Sequence, residues 1–218
     1  MSERKRVAIL ISGRGSNMKA MVEASQNPAY PAEIALVLSN RPSTAGLAFA
    51  EAAGIQTSVI DHKKYGTREN FDAAIDAKLR ESKIEFVALA GFMRIMTAGF
   101  VDDWRDRMIN IHPSLLPSYK GLHTHERALA DGVKIHGCTS HFVRHDVDAG
   151  PIIAQAAVPV LEGDTPETLS ARVLMAEHQL YPHALRLVAS GQARVKNESV
   201  TITGPSRAAA PLINPPIT

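Results

Sequence analysis

The stretch Met108–Pro117 carries the residues best suited to chemistry: Asn110 and His112, an amide and an imidazole two positions apart. Apolar residues alternate with this pair, which predicts a short buried strand, and Pro113 ends it because proline cannot donate to a sheet ladder. Both side chains then share one strand face near its carboxyl end, where α/β sheets bind ligands. A buried amide can donate to a developing oxyanion, and an imidazole can hold or pass a proton. By spacing alone, the simpler interpretation is a core amide and a backbone-bonded histidine.

A second polar loop, Arg144–Pro151, offers carboxylates to this pair. If its hairpin neighbours the strand that carries His112, one carboxylate, of Asp146 or Asp148, could reach the imidazole, orient it and favour its protonated form. Asn110, His112 and Asp148 would then serve the addition of an amine to a carbonyl. The first two would stabilise the oxyanion, while Asp148, directly or through water, would relay the amine's proton.

The glycine-containing loop Ser12–Asn17 joins a predicted strand to a predicted helix, where backbone N–H groups and the helix dipole favour a phosphate. Met18 stands where a dinucleotide fingerprint has its third glycine, and Ser39 and Asn40 replace the acid that would hold a ribose. The loop therefore suits a phosphomonoester better than a nicotinamide cofactor. A tight turn that needs two glycines for positive φ remains the alternative.

Four further histidines and the single cysteine raise the question of a metal site. They follow no recognisable ligand spacing, so we expect no metal. The lone cysteine excludes an internal disulfide and fits a reducing compartment. These residues are His123, His125, His136, His141 and Cys138.

Apolar runs alternate with helical patterns along the first half of the chain, which predicts an α/β fold with a doubly wound, mostly parallel, Rossmann-like sheet. Two longer runs follow and predict an antiparallel hairpin towards the C-terminus. The predicted strands are 7–11, 34–38, 56–60, 86–90, 108–112, 135–143 and 152–160, and the predicted helices are 18–24, 44–53, 67–82, 97–104, 124–130 and 166–190.

The bulk properties indicate a soluble, cytoplasmic protein. The 218 residues are 45% hydrophobic and 21% charged with a net charge of +2, enough for one large α/β domain. The dispersed basic residues argue against nucleic-acid binding, and no apolar run has the length of a membrane span. The charged N-terminus leads directly into a strand without the apolar core of a signal peptide. The Ala/Pro-rich residues 208–218 are expected to be loosely ordered.

Six motifs together resemble the formyltetrahydrofolate-dependent formyltransferases, and more finely the branch that formylates glycinamide ribonucleotide (GAR). They are Ile11–Asn17, Ala90–Ile95, Asn110–Pro117, Gly121–His125, Asp148–Ile152 and Glu177–Pro182. The resemblance covers about residues 6–195. It implies a Rossmann-like fold and transfer of a formyl group from 10-formyltetrahydrofolate to the amino group of GAR, in purine biosynthesis.

The resemblance also implies roles for individual residues. Asn110, His112 and Asp148 match the catalytic trio, Gly15, Ser16 and Asn17 match the phosphate loop, and Glu177 matches the acid that contacts the substrate ribose. The positions that match folate-contacting residues are Arg68, Met93, Arg94, Ile95, Met96, Asn110, Arg144, His145, Asp146, Val147 and Asp148.

The organisation implied is a single formyltransferase domain over residues 1–195. Its phosphate-binding half would cover about 1–105 and its folate and catalytic half about 106–195, followed by a tail at 196–218. We expect a monomer or homodimer whose partners are two small molecules, GAR and the folate, with no nucleic acid or membrane. Lys120 departs from the proline expected in the family, which leaves specificity at that loop less defined.

Three alternatives remain open at this stage. A methionyl-tRNA formyltransferase should carry a further basic domain, whereas the residues after the last long helix contain few basic side chains. A formyltetrahydrofolate hydrolase would use the same trio on water but leave the phosphate loop and Glu177 without a purpose. A nucleotide-binding module without catalysis would need only the glycine loop.

Overall fold

The central sheet has seven strands in the order β3-β2-β1-β4-β5-β6-β7 in the computed structural model, which describes residues 4–204 and 212–215. β1 to β5 are parallel, while β6 is antiparallel to both β5 and β7. The predicted fold class and the predicted antiparallel hairpin, now β6 and β7, are therefore confirmed. The strands are β1 Lys5–Ile11, β2 Ala32–Ser39, β3 Gln56–Val59, β4 Phe86–Leu89, β5 Met108–His112, β6 Ile135–Phe142 and β7 Ile152–Pro159.

Six α-helices in the described ranges cover the two faces of this sheet, and each starts within two residues of its predicted start. Thr67, Thr97 and Thr165 act as N-caps, because their hydroxyls accept backbone N–H groups that would otherwise lack partners. The helices are α1 Ser16–Ser25, α2 Ala45–Ala52, α3 Arg68–Glu81, α4 Ala98–Asp103, α5 Thr124–Ala130 and α6 Pro166–Ala189.

Two apolar cores lie on opposite faces of the sheet, as the alternation along β1 requires. Val7, Ile9 and Ile11 pack into the core that includes α1 and α6, whereas Ala8 and Leu10 pack into the core that includes α3 and α4. Burial on both faces is typical of a parallel strand and explains the continuous apolar run. The two cores bury β1 in the interior of the sheet, between β2 and β4.

The long helix α6 is tied to the middle of the sheet through Tyr181, whose side chain is fully buried. Its hydroxyl lies 2.9 Å from the carbonyl oxygen of Leu89 and 3.1 Å from that of Ile109, so that one donor is shared between β4 and β5. This contact fixes the helix relative to the two strands whose carboxyl ends border the predicted site.

The antiparallel pairing of β5 and β6 places the second predicted loop beside the first. Asn110 lies opposite His141, and His112 lies opposite Thr139. Because β6 is antiparallel to β5, its last residue, Phe142, lies opposite Ile109, which immediately precedes Asn110. The hairpin loop 143–151 thereby returns to the edge of the site.

A second sheet at the C-terminus was missed by the sequence analysis, which assigned no elements after Gly191. β8 (Ala193–Lys196) and β9 (Ser199–Ile202) form a two-stranded antiparallel hairpin. β8 runs across the expected domain boundary at 195/196. Of the Ala/Pro-rich segment 208–218, residues 208–211 and 216–218 lie outside the described residues. Within the described ranges, no helix is long and apolar enough to cross a membrane.

Candidate active site

Asn110, His112 and Asp148 converge at the carboxyl end of β5. His112 Nδ1 lies 3.3 Å from Asp148 Oδ2, and both side chains are more than nine-tenths buried. β5 supplies the amide and the imidazole, and the loop after β6 supplies the carboxylate. The structure thus brings together the three residues that the sequence singled out from two distant stretches.

Asp148 is held by contacts that favour its ionised form. Its Oδ2 accepts the backbone N–H of Gly121 at 2.9 Å, and its Oδ1 lies 3.7 Å from His141 Nε2. Burial raises the pKa of this carboxyl, but the nearby His141 ring, the backbone N–H of Gly121 and the nearby His112 outweigh burial and lower the pKa below its usual range. Asp148 is therefore a carboxylate at neutral pH.

The carboxylate of Asp148 favours the protonated form of His112, as expected, but it does not alone determine the pKa of the ring. Burial lowers the pKa of His112 below its ordinary value, and this effect outweighs the hydrogen bond to Tyr119 and the charge of Asp148, both of which raise it. His112 Nε2 lies 2.9 Å from the Tyr119 carbonyl oxygen, so each ring nitrogen faces an acceptor. A neutral ring carries one proton and so donates to only one of these two acceptors. The other ring nitrogen is unprotonated and can accept a second proton.

His141 is a member of this cluster that the sequence analysis missed, having considered it only as a metal ligand. Its Nδ1 donates to the Phe142 carbonyl oxygen at 2.9 Å, and its Nε2 lies 3.2 Å from Asn110 Nδ2. This arrangement lets the Asn110 amide donate one hydrogen to His141 and keep its second hydrogen for another acceptor. The antiparallel pairing of 108–112 with 135–143 would have revealed the contact, but register cannot be read from either strand alone.

A cavity of about 820 Å³ opens beside the trio, and its lining is mostly apolar. All but one of the predicted folate-contacting residues line it. Arg68 is the exception: it is the exposed first residue of α3 and does not belong to the lining. The predicted residues in the lining are Met93, Arg94, Ile95, Met96, Asn110, Arg144, His145, Asp146, Val147 and Asp148.

The charged group of Arg144 is already engaged by the protein. Its guanidinium donates to Glu198 at 2.7 Å, to Asp106 at 2.6 Å and to the carbonyl oxygen of Val143 at 3.0 Å. The guanidinium of Arg144 is therefore engaged by protein groups and is not a free cation. Lys120 is exposed and lies outside the lining.

The glycine loop lies at the carboxyl end of β1 and leads into α1. Gly15 has φ 71°, a conformation that favours glycine, and a Cβ there would lie 3.2 Å from the Cα of Gly46. The Ser12 hydroxyl accepts the Met93 backbone N–H at 2.8 Å and donates to Asn40 Oδ1 at 2.6 Å. These bonds connect the predicted phosphate loop to the predicted folate segment.

Glu177 is not an exposed helix carboxylate but a buried one. Asn17 Nδ2 donates to its Oε2 at 2.6 Å, and Asn17 Oδ1 is buried without a partner in the described residues. Burial raises the pKa of Glu177 despite this hydrogen bond. The structure therefore joins two predicted substrate-binding residues, one from α1 and one from α6, into a single polar pair.

The remaining histidines do not assemble a metal centre within the described part of the chain: no group of three or more His, Cys, Asp or Glu side chains is suitably arranged. The rings of His125 and His136 meet edge to face at 5.3 Å between centroids. Burial lowers the pKa of His136 to about 4, which keeps this imidazole neutral.

Comparison with known proteins assigns this geometry to a family. The family model described as formyl transferase matches residues 5–185. The chain belongs to the formyl transferase family. That span contains the glycine loop, the trio and Glu177, and so the whole candidate site lies within the region that defines the family.

Individual relatives agree with this assignment. The chain is 38% identical to the phosphoribosylglycinamide formyltransferase of Escherichia coli (strain K12), over 91% of this chain and 93% of that one. The crystal structure of glycinamide ribonucleotide transformylase 1 from Symbiobacterium toebii is similar with a TM-score of 0.91 and 42% identity, covering 94% of this chain and 96% of that one. The human trifunctional purine biosynthetic protein adenosine-3 is 56% identical over 87% of this chain, which spans 19% of that relative's length.

Proposed function

We propose that this formyl transferase family member transfers the formyl group of 10-formyltetrahydrofolate to the amino group of GAR. The products are formyl-GAR and tetrahydrofolate, in the de novo purine pathway to IMP. The observation that carries this proposal is the convergence of Asn110, His112 and Asp148 beside a cavity of about 820 Å³. The names of the Escherichia coli and Symbiobacterium relatives support the same acceptor.

The reaction needs an oxyanion site rather than a protein nucleophile, because the amine of the acceptor itself attacks the formyl carbon. Asn110 is placed to stabilise the developing oxyanion through the amide hydrogen that His141 does not take. His112 would assist by exchanging the Tyr119 carbonyl for the substrate oxygen as the partner of Nε2. A donor positioned in this way contributes about a hundredfold or more to the rate.

The proton that leaves the attacking amine has a defined receiver in this site. Asp148 is ionised, and the neutral His112 beside it has one ring nitrogen that carries no proton and can accept one. Uptake of the amine proton by this pair, directly or through water, would convert His112 into an imidazolium that donates to Asp148 and to the substrate oxygen. The pair would then return the proton to the departing folate nitrogen.

The cavity fits a large planar co-substrate that supplies an activated formyl carbon. Apolar side chains dominate the lining, and the loop 144–148 forms part of its wall. Among the described residues, backbone–backbone hydrogen bonds flank this loop at Phe142 and Val143, and residues 147 and 148 form a turn within it. Backbone N–H and carbonyl groups of the loop outside this turn would donate to and accept from the edge of a pteridine ring.

The acceptor would be held at the other side of the trio. Gly15, Ser16 and Asn17 at the N-terminus of α1 would bind the phosphate through backbone N–H groups and the helix dipole. Glu177 would accept a ribose hydroxyl once the pair with Asn17 rearranges around the substrate. The Ser12 bonds to Asn40 and Met93 connect this half to the folate half.

A spectrophotometric assay in metal-free buffer tests the proposal. Purified protein would receive 10-formyltetrahydrofolate with and without GAR, and formation of the free folate would be followed. We expect folate turnover only when GAR is present. Turnover on water alone would indicate a hydrolase instead, and absence of turnover in both mixtures would reject the proposed acceptor.

A further inference from the structure

The C-terminal hairpin reaches the wall of the cavity through one carboxylate, that of Glu198. Its Oε2 accepts from Arg144 Nε at 2.7 Å, and its Oε1 accepts from Arg105 Nη2 at 2.5 Å. Arg144 begins the cavity loop, defined as residues 144–151, and Arg105 lies in the turn between α4 and β5. A single side chain therefore joins the hairpin, this turn and the loop that carries Asp148.

The cavity loop lies outside the helices and strands, and within the described structure its first residues are held to neighbouring segments by side-chain contacts. Arg144 Nη2 donates to Asp106 Oδ1 at 2.6 Å, and His145 Nε2 lies 2.8 Å from Asp102 Oδ1. The Arg144 side chain is only 10% exposed, whereas that of Glu198 is 55% exposed. A cation buried to this degree requires partners, and Glu198 supplies the one that comes from outside the formyl transferase match at 5–185.

The backbone at Glu198 is unfavourable for any residue with a side chain. Asn197 and Glu198 have φ 49° and 55°, the left-handed pair that a two-residue hairpin turn requires, and glycine is favoured at the second position. A glutamate there lowers the stability of the turn relative to Asn-Gly. The turn itself does not require a glutamate at this position. The ion pairs with Arg105 and Arg144 do require its carboxylate.

We propose that Glu198 is a positioning residue, which acts through Arg144 to hold the cavity loop in the conformation that binds the folate. This inference rests on the proposed function for its kinetic consequence, but its structural part does not. The hydrogen bond from Arg144 lowers the pKa of Glu198, and the charges of Arg144 and Arg105 lower it further. The carboxylate is therefore ionised at neutral pH. The charge that anchors the loop is therefore present under ordinary conditions.

The decisive variant is Glu198→Gly, because it improves the turn while it removes the anchor. We expect an unchanged or higher melting temperature, together with a KM for 10-formyltetrahydrofolate raised about fivefold, the loss expected for a partly exposed ion pair. The KM for GAR should stay at the wild-type value. Glu198→Gln, which keeps an acceptor but not the charge, should give an intermediate folate KM.

The matched control is Asn197→Gly, which places glycine in the same turn and leaves the carboxylate intact. Its folate KM should equal that of the wild type. A folate KM unchanged in Glu198→Gly would overturn the proposal, as would the same increase in Asn197→Gly. Equal loss of melting temperature and kcat in both Glu198 variants would assign the residue a structural role only and would also overturn it.

Amide hydrogen exchange of the substrate-free protein separates this inference from the proposed function. We expect the amide of Gly121, which donates to Asp148 in the cavity loop at 2.9 Å, to exchange faster in Glu198→Gly than in the wild type, with exchange in β1 and β5 unchanged. Equal exchange in both proteins would reject the anchor whatever the activity. If the wild type lacked transferase activity but the variant still exchanged faster, the anchor would be retained and the proposed function rejected.

Discussion

Gly121 and Asp148 are joined by a hydrogen bond of 2.9 Å from the backbone N–H of the first to Oδ2 of the second. The same oxygen lies 3.3 Å from His112 Nδ1. One carboxylate oxygen therefore links the loop after β6, the loop before α5 and the end of β5. Asp148 therefore supplies a negative charge to the site and also connects the two loops that border the cavity.

The substitution Asp148→Asn should separate these two roles. The introduced amide has a similar shape to the carboxylate, but it has no charge and cannot take the amine's proton. We expect kcat to fall by at least about a hundredfold, the usual contribution of a positioned acid or base. Binding of GAR, measured by calorimetry, should persist because the acceptor is held by the α1 loop. The exposed Asp103→Asn is the control, and activity retained in Asp148→Asn would contradict the proton-relay role.

The protonation state of His112 can be measured directly by NMR titration of its ring. Because burial lowers the pKa of His112, the free protein should hold a neutral ring at pH 7 and gain the proton only below the ordinary value near 6.5. The charge of Asp148 acts in the opposite direction and raises this pKa. Asp148→Asn should therefore lower the pKa of His112 further, and a rise in that variant would refute the assignment of charges.

The sequence contained most of the fold because its signals are local. The strand at 108–112 and the helix at 124–130 were predicted with their observed bounds, from alternation bounded by proline and from helical spacing. His141 and the charge state of His112 were missed for another reason. The first depends on the register between β5 and β6, and the second on burial by distant segments, and neither property is written in a single stretch of chain.

The C-terminal hairpin was missed because its turn carries Asn-Glu where Asn-Gly is the strong signal. Without the family resemblance, Glu177 would be interpreted as an ordinary exposed helix carboxylate, because its polar type suggests a solvated helix face. In the structure, Glu177 on α6 is hydrogen-bonded to Asn17 on α1, 160 positions away in the chain. Long-range polar pairs of this kind leave no periodic trace in the sequence.

Two arginines predicted to contact the folate should behave differently when each is replaced by alanine. Arg94 lines the cavity, whereas Arg68 is exposed at the start of α3 and lies outside the lining. We expect Arg94→Ala to raise the KM for 10-formyltetrahydrofolate by about fivefold, as for a single partly exposed charge contact. Arg68→Ala serves as the matched control with an unchanged KM. An equal effect of both substitutions would mean that the bound folate extends to α3.

Glu177→Gln tests whether the buried carboxylate acts on the acceptor. The amide oxygen of the introduced glutamine can still accept from Asn17, and the variant avoids the cost of burying a charge, the same cost that raises the pKa of Glu177. It should therefore fold with wild-type stability or better. An amide is a weaker acceptor for a ribose hydroxyl than a carboxylate, so we expect the KM for GAR to rise about tenfold. The KM for the folate should not change, because Glu177 does not line that cavity. The exposed Glu167→Gln in the first turn of α6 is the control. If Glu177→Gln instead raised the folate KM and left the GAR KM unchanged, the acceptor would have to lie elsewhere than between α1 and α6.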